Sequence, residues 1–224
     1  MPKWQDIAGV TFGSNLLQVG YDPEAMDRLK AYLTQRYPQH VWRSLKFAVN
    51  KTLGTVRSRA SRAIRDQAQG LRLKDVMKSV FIKKRAKATA GGGDLSGSVL
   101  LLARRVPAFR MGARQTASGV TWRGPSGATV DLPHAFIQRM PESGHRGVFF
   151  RTPGKRRMLR GRYAGKLREP ITEEYGGTIA QIFEQAPGVL EGTLAEAGKL
   201  LVHYTQQELG LLESKRMEKA LGAA

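Results

Sequence analysis

Residues 41–65 read VWRSLKFAVNKTLGTVRSRASRAIR, and the spacing of their apolar positions decides the fold. Val41, Leu45, Val49, Leu53, Val56, Ala60 and Ile64 recur at steps of four, four, four, three, four and four. Side chains three and four apart stack on one side of an α-helix, so the spacing predicts one apolar stripe along a helix of about eight turns. Arg43, Lys46, Lys51, Arg57, Arg59, Arg62 and Arg65 fall off that stripe, which makes the rest of the helix basic. Gly70 reads as its C-terminal stop.

Upstream, residues 1–22 are mixed and glycine-containing and predict an irregular arm. A helix is expected to start after Asp22, with Pro23 at its first position, and to run to about Tyr37 before Pro38. Downstream, a short helical turn at 73–78 leads into a strand. There Val80, Ile82, Ala86 and Ala88 alternate with Lys83, Arg85 and Lys87, and Lys84 breaks the alternation. The stretch AGGGDLSG at 90–97 predicts a loop, and the apolar run at 98–103 a buried strand. Short strands at 119–123, 135–139 and 147–152 are separated by Gly/Pro/Ser turns too short for crossover helices, so antiparallel pairing is expected. Residues 153–170, rich in Arg and Gly, predict an exposed loop.

Thr178 is placed to cap a helical turn carrying Ile179, Ile182 and Phe183. After Pro187 and Gly188, Leu190, Leu194, Ala197, Leu201 and Tyr204 form a second stripe. It would pack on the sheet or on a neighbouring subunit, with the neighbour slightly favoured. The expected class is α+β: a long basic N-terminal helix packed on a small antiparallel β-sheet, with C-terminal helices. The expected division is an arm at 1–22, an α+β domain at 23–186 and a helical segment at 187–224.

Charge is the strongest compositional signal. The 224 residues carry 37 Lys and Arg against 18 Asp and Glu, a net +19. Residues 1–42 are balanced, residues 43–168 hold 29 basic against 5 acidic residues, and residues 169–224 hold 4 against 9. A field of that size attracts polyanions, nucleic acid being the usual one, though a solvated basic surface and a basic face docking on an acidic protein neighbour are together equally compatible. With no cysteine, disulfides and thiolate chemistry are excluded. No run of eighteen apolar residues offers a membrane span, and the opening MPKWQDIAGV lacks the apolar region of a secretory signal.

Catalytic patterns are scarce. His40, His134, His145 and His203 show no metal-ligand spacing; His134 and His145 flank an expected strand and could face each other. Carboxylates in the central region are limited to Asp66, Asp75, Asp94, Asp131 and Glu142, few for a metal-dependent nuclease. The glycine-bounded stretch at 147–155 has the wrong spacing for a phosphate loop, and Asn50 heads a glycosylation triplet only by chance, in mid-helix. The sequence therefore predicts neither an enzyme nor a bound cofactor or metal.

Basic clusters are the better candidates. Arg57, Arg59, Arg62 and Arg65 lie on the long helix; Lys83, Lys84, Arg85 and Lys87 on a strand; Lys155, Arg156, Arg157, Arg160 and Arg162 in a loop. Lys and Arg bind phosphate oxygens without reading sequence, and no zinc finger, zipper or RNA-recognition aromatic pair accompanies them. A non-specific DNA-binding protein is thus one reading.

Several blocks carry a resemblance. AVNKT at 48–52 with its trailing arginines, LRLKDVMKSVFIKKRAKAT at 71–89, RRVPAFRMGARQTASGVTWRG at 104–124, and HAFIQRMPESGHRGVFFR at 134–151 stand in this order. TPGK, then Arg168-Glu-Pro-Ile171 and YGGTIAQIF at 175–183, follow them. Together they resemble the prophage minor tail protein Z family of phage tail-completion proteins, over roughly residues 40–185. Residues 153–168 are more arginine-rich than the family pattern, and the first 40 residues lie outside it. The resemblance implies a structural virion protein at the head-proximal end of a phage tail, assembled in the bacterial host cytoplasm and acting in tail completion and head–tail joining. It also implies partners: copies of itself in a ring (six-fold by analogy), neighbouring tail and neck proteins, and the end of the genomic DNA, with no membrane.

Overall fold

The structure, a computed structural model, describes residues 8–24, 27, 40–68, 70–89, 92–141, 143–160 and 163–221, with side chains described to Lys215. The helix expected between Asp22 and Tyr37 lies almost wholly outside them. The first elements are β1 (Ala8–Gly13), β2 (Leu16–Tyr21), α1 (Val41–Gln67), α2 (Leu73–Met77), β3 (Val80–Lys84), β4 (Lys87–Thr89), β5 (Gly92–Asp94) and β6 (Gly97–Leu101). Then come β7 (Arg105–Pro107), a 3-10 turn (Ala108–Met111), β8 (Arg114–Gln115), β9 (Gly119–Arg123), β10 (Thr129–Pro133), β11 (Phe136–Arg139) and β12 (Arg146–Arg151). The chain continues through β13 (Arg156–Arg157), β14 (Leu167–Arg168), β15 (Ile171–Glu173), β16 (Tyr175–Thr178), α3 (Ile179–Gln185) and α4 (Val189–Leu221). This is an α+β protein, with a long helix, small antiparallel sheets and C-terminal helices.

Two compact units divide the chain. The first comprises Met1–Arg62, Met77–Leu102 and Gly188–Ala224; the second comprises Ala63–Val76 and Ala103–Pro187. These boundaries differ from the expected 1–22, 23–186 and 187–224. Spatial neighbours here are far apart in sequence: the C-terminal helix belongs with the N-terminal strands.

In the first unit an antiparallel sheet runs in the order β1-β2-β6-β3. Of residues 1–22, expected as an irregular arm, 8–13 and 16–21 supply half of its strands. Ser14 and Asn15 both take positive φ (49° and 61°) between Gly13 and Leu16, the two-residue turn whose twist matches a hairpin. Leu17 and Val19 point into the core while Gln18 stays exposed, so the strand alternates as a half-buried strand should. All seven residues of the helical stripe, Val41 to Ile64, are buried. At β6 the helix comes so close that a Cβ on Gly97 would stand 2.3 Å from Leu53 Cδ1, so any larger residue requires the Leu53 side chain to move. Lys84, the residue that breaks the alternation of the basic strand, sits where the β3–β6 register shifts after Ile82, a β-bulge.

Helix α4 runs antiparallel to α1. Lys51 bonds Gln207 (2.8 Å), Thr55 meets the Tyr204 hydroxyl (3.2 Å), and Arg59 pairs with Glu196. Its buried face is Val189, Thr193, Ala197, Leu201, Thr205 and Leu209, every fourth residue. The expected stripe chose Leu190, Leu194 and Tyr204, which are only half-buried, because threonine reads as polar. Inside the helix Thr193 and Thr205 return their hydroxyls to the carbonyls of Val189 and Leu201 (2.6 and 2.7 Å), which makes them safe to bury. Since the Thr205 proton is committed to Leu201, its oxygen accepts from Tyr21 on β2 at 2.8 Å, and burial pushes that phenol's pKa upward. The helix thus packs on its own chain, where a neighbouring subunit was the favoured expectation.

The second unit contains the sheets β10-β9-β8 and β11-β12-β15 and the pairs β16-β7 and β13-β14, all antiparallel. Its core includes Val106, Met111, Trp122, Val148, Phe149, Ile182 and Phe183. Thr178 caps α3 in a reciprocal capping box with Gln181, as its sequence position predicts. Gly70 is not the helix stop: α1 ends at Gln67, and Gly70 instead lets the chain approach Arg110, whose carbonyl oxygen would lie 2.6 Å from an added Cβ. Residues 153–170, expected as an exposed loop, are mostly exposed and irregular where described, and contain the short paired strands β13 and β14. The 90–97 loop likewise contains β5, paired with β4.

One side chain the sequence left unread organises the first unit. Asn50, mid-helix, donates to the Ala86 carbonyl (3.2 Å) and accepts from the Ala86 N–H (3.0 Å), holding the break between β3 and β4 against α1. Asn50→Ala strands both backbone groups, and we expect a loss of about 1–3 kcal/mol of unfolding free energy in denaturant titration. Asn50→Asp, which keeps only the acceptor, should lose less than the alanine variant.

Candidate functional site

The three basic clusters fare differently once folded. On α1, Arg57 is spent on structure: its guanidinium donates to the carbonyls of Val80 (2.8 Å) and Met77 (3.0 Å), tying the start of β3 to the helix. Arg59 pairs with Glu196, and Arg65 with Asp66 beside it. Only Arg62 is exposed with no side-chain partner among the described residues. The helix cluster is therefore mostly internal wiring rather than a free cationic face.

The strand cluster is more open. Lys83, Lys84, Arg85 and Lys87 are all exposed, because the buried alternate positions are Val80 and Ala86. Lys84 bridges Asp94 and bonds Ser96 (3.0 Å), while Ser96 donates to Asp94 through its hydroxyl (2.6 Å) and its N–H (3.0 Å). Those bonds, led by the one from Lys84, hold the Asp94 carboxyl at about 2.

The third cluster lies on a two-stranded ribbon in the second unit. The ladder of β12 and β15 ends at Arg151 opposite Ile171 and continues with the Thr152 N–H on the Pro170 carbonyl (2.9 Å). Arg156 then pairs with Arg168, Arg157 with Leu167, and the Met158 N–H donates to the Lys166 carbonyl (2.9 Å). Lys155, Arg156, Arg157 and Arg160 are exposed; Arg162 lies outside the described residues. Lys166 and Arg168, absent from the sequence-level cluster, complete it from the opposite strand. Arg168 also stacks on the Tyr163 ring, 3.6 Å from its centroid. Between these bases Leu159 is 89% exposed and Leu167 66%. The signal for the missed pair was Gly165 (φ 80°), the turn glycine that folds the second strand back on the first.

No protein-family model, curated protein or solved structure matches this chain.

Elsewhere in the second unit, His145 Nε2 lies 2.7 Å from Glu173 Oε1, and the Tyr175 hydroxyl donates to Glu173 Oε2 at 3.4 Å. Glu173 is thus the partner of His145; His134, set in a turn at φ 60°, bonds the Ser118 carbonyl through its backbone N–H. A carboxylate fixing an imidazole is half of an acid–base device, but this ring bonds no hydroxyl nucleophile among the described residues. A cavity of about 440 Å³ beside it is lined by Arg105, Phe150, Glu173, Glu174, Tyr175 and Gln181 among others. Among the described residues no three His, Asp or Glu side chains gather as metal ligands, and no helix is long and apolar enough to cross a membrane.

Two measurements separate wiring from free charge. Arg57→Ala should lower unfolding free energy by about 1–3 kcal/mol by orphaning two carbonyls, whereas alanine at Lys83, Arg85 or Lys87 should stay within about 0.5 kcal/mol. In an NMR titration the Asp94 carboxyl should have its midpoint near 2. Lys84→Ala should move that midpoint up toward the ordinary ~3.9. A depressed carboxylate stabilises the fold above its unfolded pKa and loses that contribution as pH falls through about 2.

Proposed function

We propose that this chain is a structural virion subunit of a tailed phage, a tail-completion protein at the head-proximal end of the tail that acts in tail assembly and head–tail joining. The observation that carries the reading is the ribbon at 152–170. It is a hydrogen-bonded element whose two leucines are left in water. A pair of exposed leucines on a defined ribbon costs solubility unless another component covers them. Assembly proteins are built from such elements, which find their burial in a neighbour. The ordered blocks between residues 40 and 185 that resemble the minor tail protein Z family support the same reading.

A ring of copies follows from the same proposal. Ring subunits meet through two different surfaces, a head-to-tail contact that closes on itself. Among the described residues, β1 stands at the edge of the four-stranded sheet of the first unit, next to β2. Edge pairing is one common way for copies to join. No catalytic step belongs to this function, and none is assigned to the His145–Glu173 pair.

Cryo-electron microscopy of the parent particles, with this chain carrying a small fusion label, tests the proposal. Label density at the junction of tail and head is expected, and particles lacking the chain should yield separate heads and unfinished tails. Label found only at the distal tail tip or on the capsid shell, or normal joined particles without the chain, would overturn it.

A further inference from the structure

The ribbon is built against its own stability. Arg156 stands directly opposite Arg168 across the two strands, with Arg157, Lys155 and Lys166 alongside. Like charges directly opposed on a strand pair are destabilising. From 152 to 170 the sequence holds seven basic residues and one acidic residue, Glu169, so no internal carboxylate set relieves them. Among the described residues no ion pair involves the ribbon's bases. An anionic partner would remove that repulsion, so the element is completed by what it binds.

The partner's class follows from charge and shape. A second copy of this chain is +19 overall, and its acidic excess is confined to residues 169–224, with 9 acidic against 4 basic residues. Duplex DNA presents one phosphate per ~1.7 Å of axis, and its major groove, about 12 Å wide, admits a two-stranded ribbon. Only Arg156–Arg157 of this segment is strand, so at ~3.3 Å per residue the stretch from Thr152 to Met158 spans at most about 20 Å, room to meet a few phosphates. Exposed leucines have no counterpart on a phosphate, but apolar side chains in the major groove meet the methyl groups of thymine. The ribbon carries no Asn or Gln to read adenine edges, so any base contact it makes is by Arg or Lys to guanine.

We propose that the ribbon of residues 152–160 and 163–170 binds DNA, gripping duplex phosphates through Lys155, Arg156, Arg157, Arg160, Lys166 and Arg168 and seating Leu159 against the groove wall. This deepens the assembly reading by naming the component the ribbon meets; it rests on that reading for the place in the particle, while the contact itself belongs to the isolated chain.

The test is fluorescence anisotropy of a labelled random-sequence duplex with the full chain, over a series of salt concentrations. Wild-type affinity should fall steeply with salt, and K155A/R156A/R157A should reduce the slope of log K against log salt by about 3. The single variant R157A should reduce it by about 1, which keeps the result readable if the triple variant folds poorly. L159A should weaken binding several-fold at every salt without changing the slope. The control K83A/R85A/K87A removes the same charge from the other exposed cluster and should change the slope by less than about 1.

Equal effects of the two triple variants would show that net charge, not the ribbon, does the binding, and would overturn the proposal. So would a ribbon variant that binds DNA normally but loses self-association, since the occupant would then be protein. Absence of DNA binding together with density at the neck sinks this inference alone. Strong binding by the ribbon with density elsewhere sinks the assembly reading alone.

Discussion

The burial of one face of α1 is the constraint on which the first unit depends. Six stripe residues of this unit, from Val41 to Ala60, are withdrawn from water, and each buried Val or Leu contributes about 1.5–3 kcal/mol relative to exposure. No surface charge on this molecule competes with that, since an exposed ion pair contributes about 0–1 kcal/mol. The hydrophobic term therefore sets where the helix lies, and the charged residues take what positions remain. Gly97 marks how tightly the helix is seated, and Asn50 and Arg57 fix its rotation by bonding backbone groups of residues 77, 80 and 86.

That hierarchy divides the basic residues into two kinds. Those on α1 lie beside strands and a second helix, so their guanidinium groups are recruited to satisfy carbonyls and carboxylates within reach. Those on the ribbon have solvent around them and each other across the ladder. Equal charge in the sequence thus has unequal consequences. A field of +19 is a property of the whole chain, but its availability to a partner is concentrated where the fold supplies no internal anion.

The second unit shows why short strands can position a site. None of its strands exceeds six residues, and its two larger sheets have three strands each. Order there comes from corners and caps: the Thr178–Gln181 capping box, the 3-10 turn with Met111 buried, and Gly70 against Arg110. The β12–β15 ladder leads through the Thr152–Pro170 bond toward β13 and β14, with a register shift on the way: Arg151 faces Ile171, while Arg156 faces Arg168.

The amino-acid sequence alone determined the long helix, its buried stripe, the Thr178 cap and most central strands, because each rests on local periodicity or a local hydrogen bond. It also determined the excess of positive charge in the middle of the chain. The hairpin of residues 8–21 was hidden because its turn, Ser14-Asn15, carries its signal in backbone angles rather than in a glycine pair. The buried face of α4 was misplaced because Thr193 and Thr205 look polar until their hydroxyls are seen bonded within the helix. Tertiary structure alone decided that Arg57 is internal, that Lys166 and Arg168 join Arg156 and Arg157, and that His145 meets Glu173. The physical reason is common to all of these. A side chain's periodicity is written along the chain, but its partner is chosen by residues that folding brings from far away, and only the partner determines whether a charge is consumed or offered.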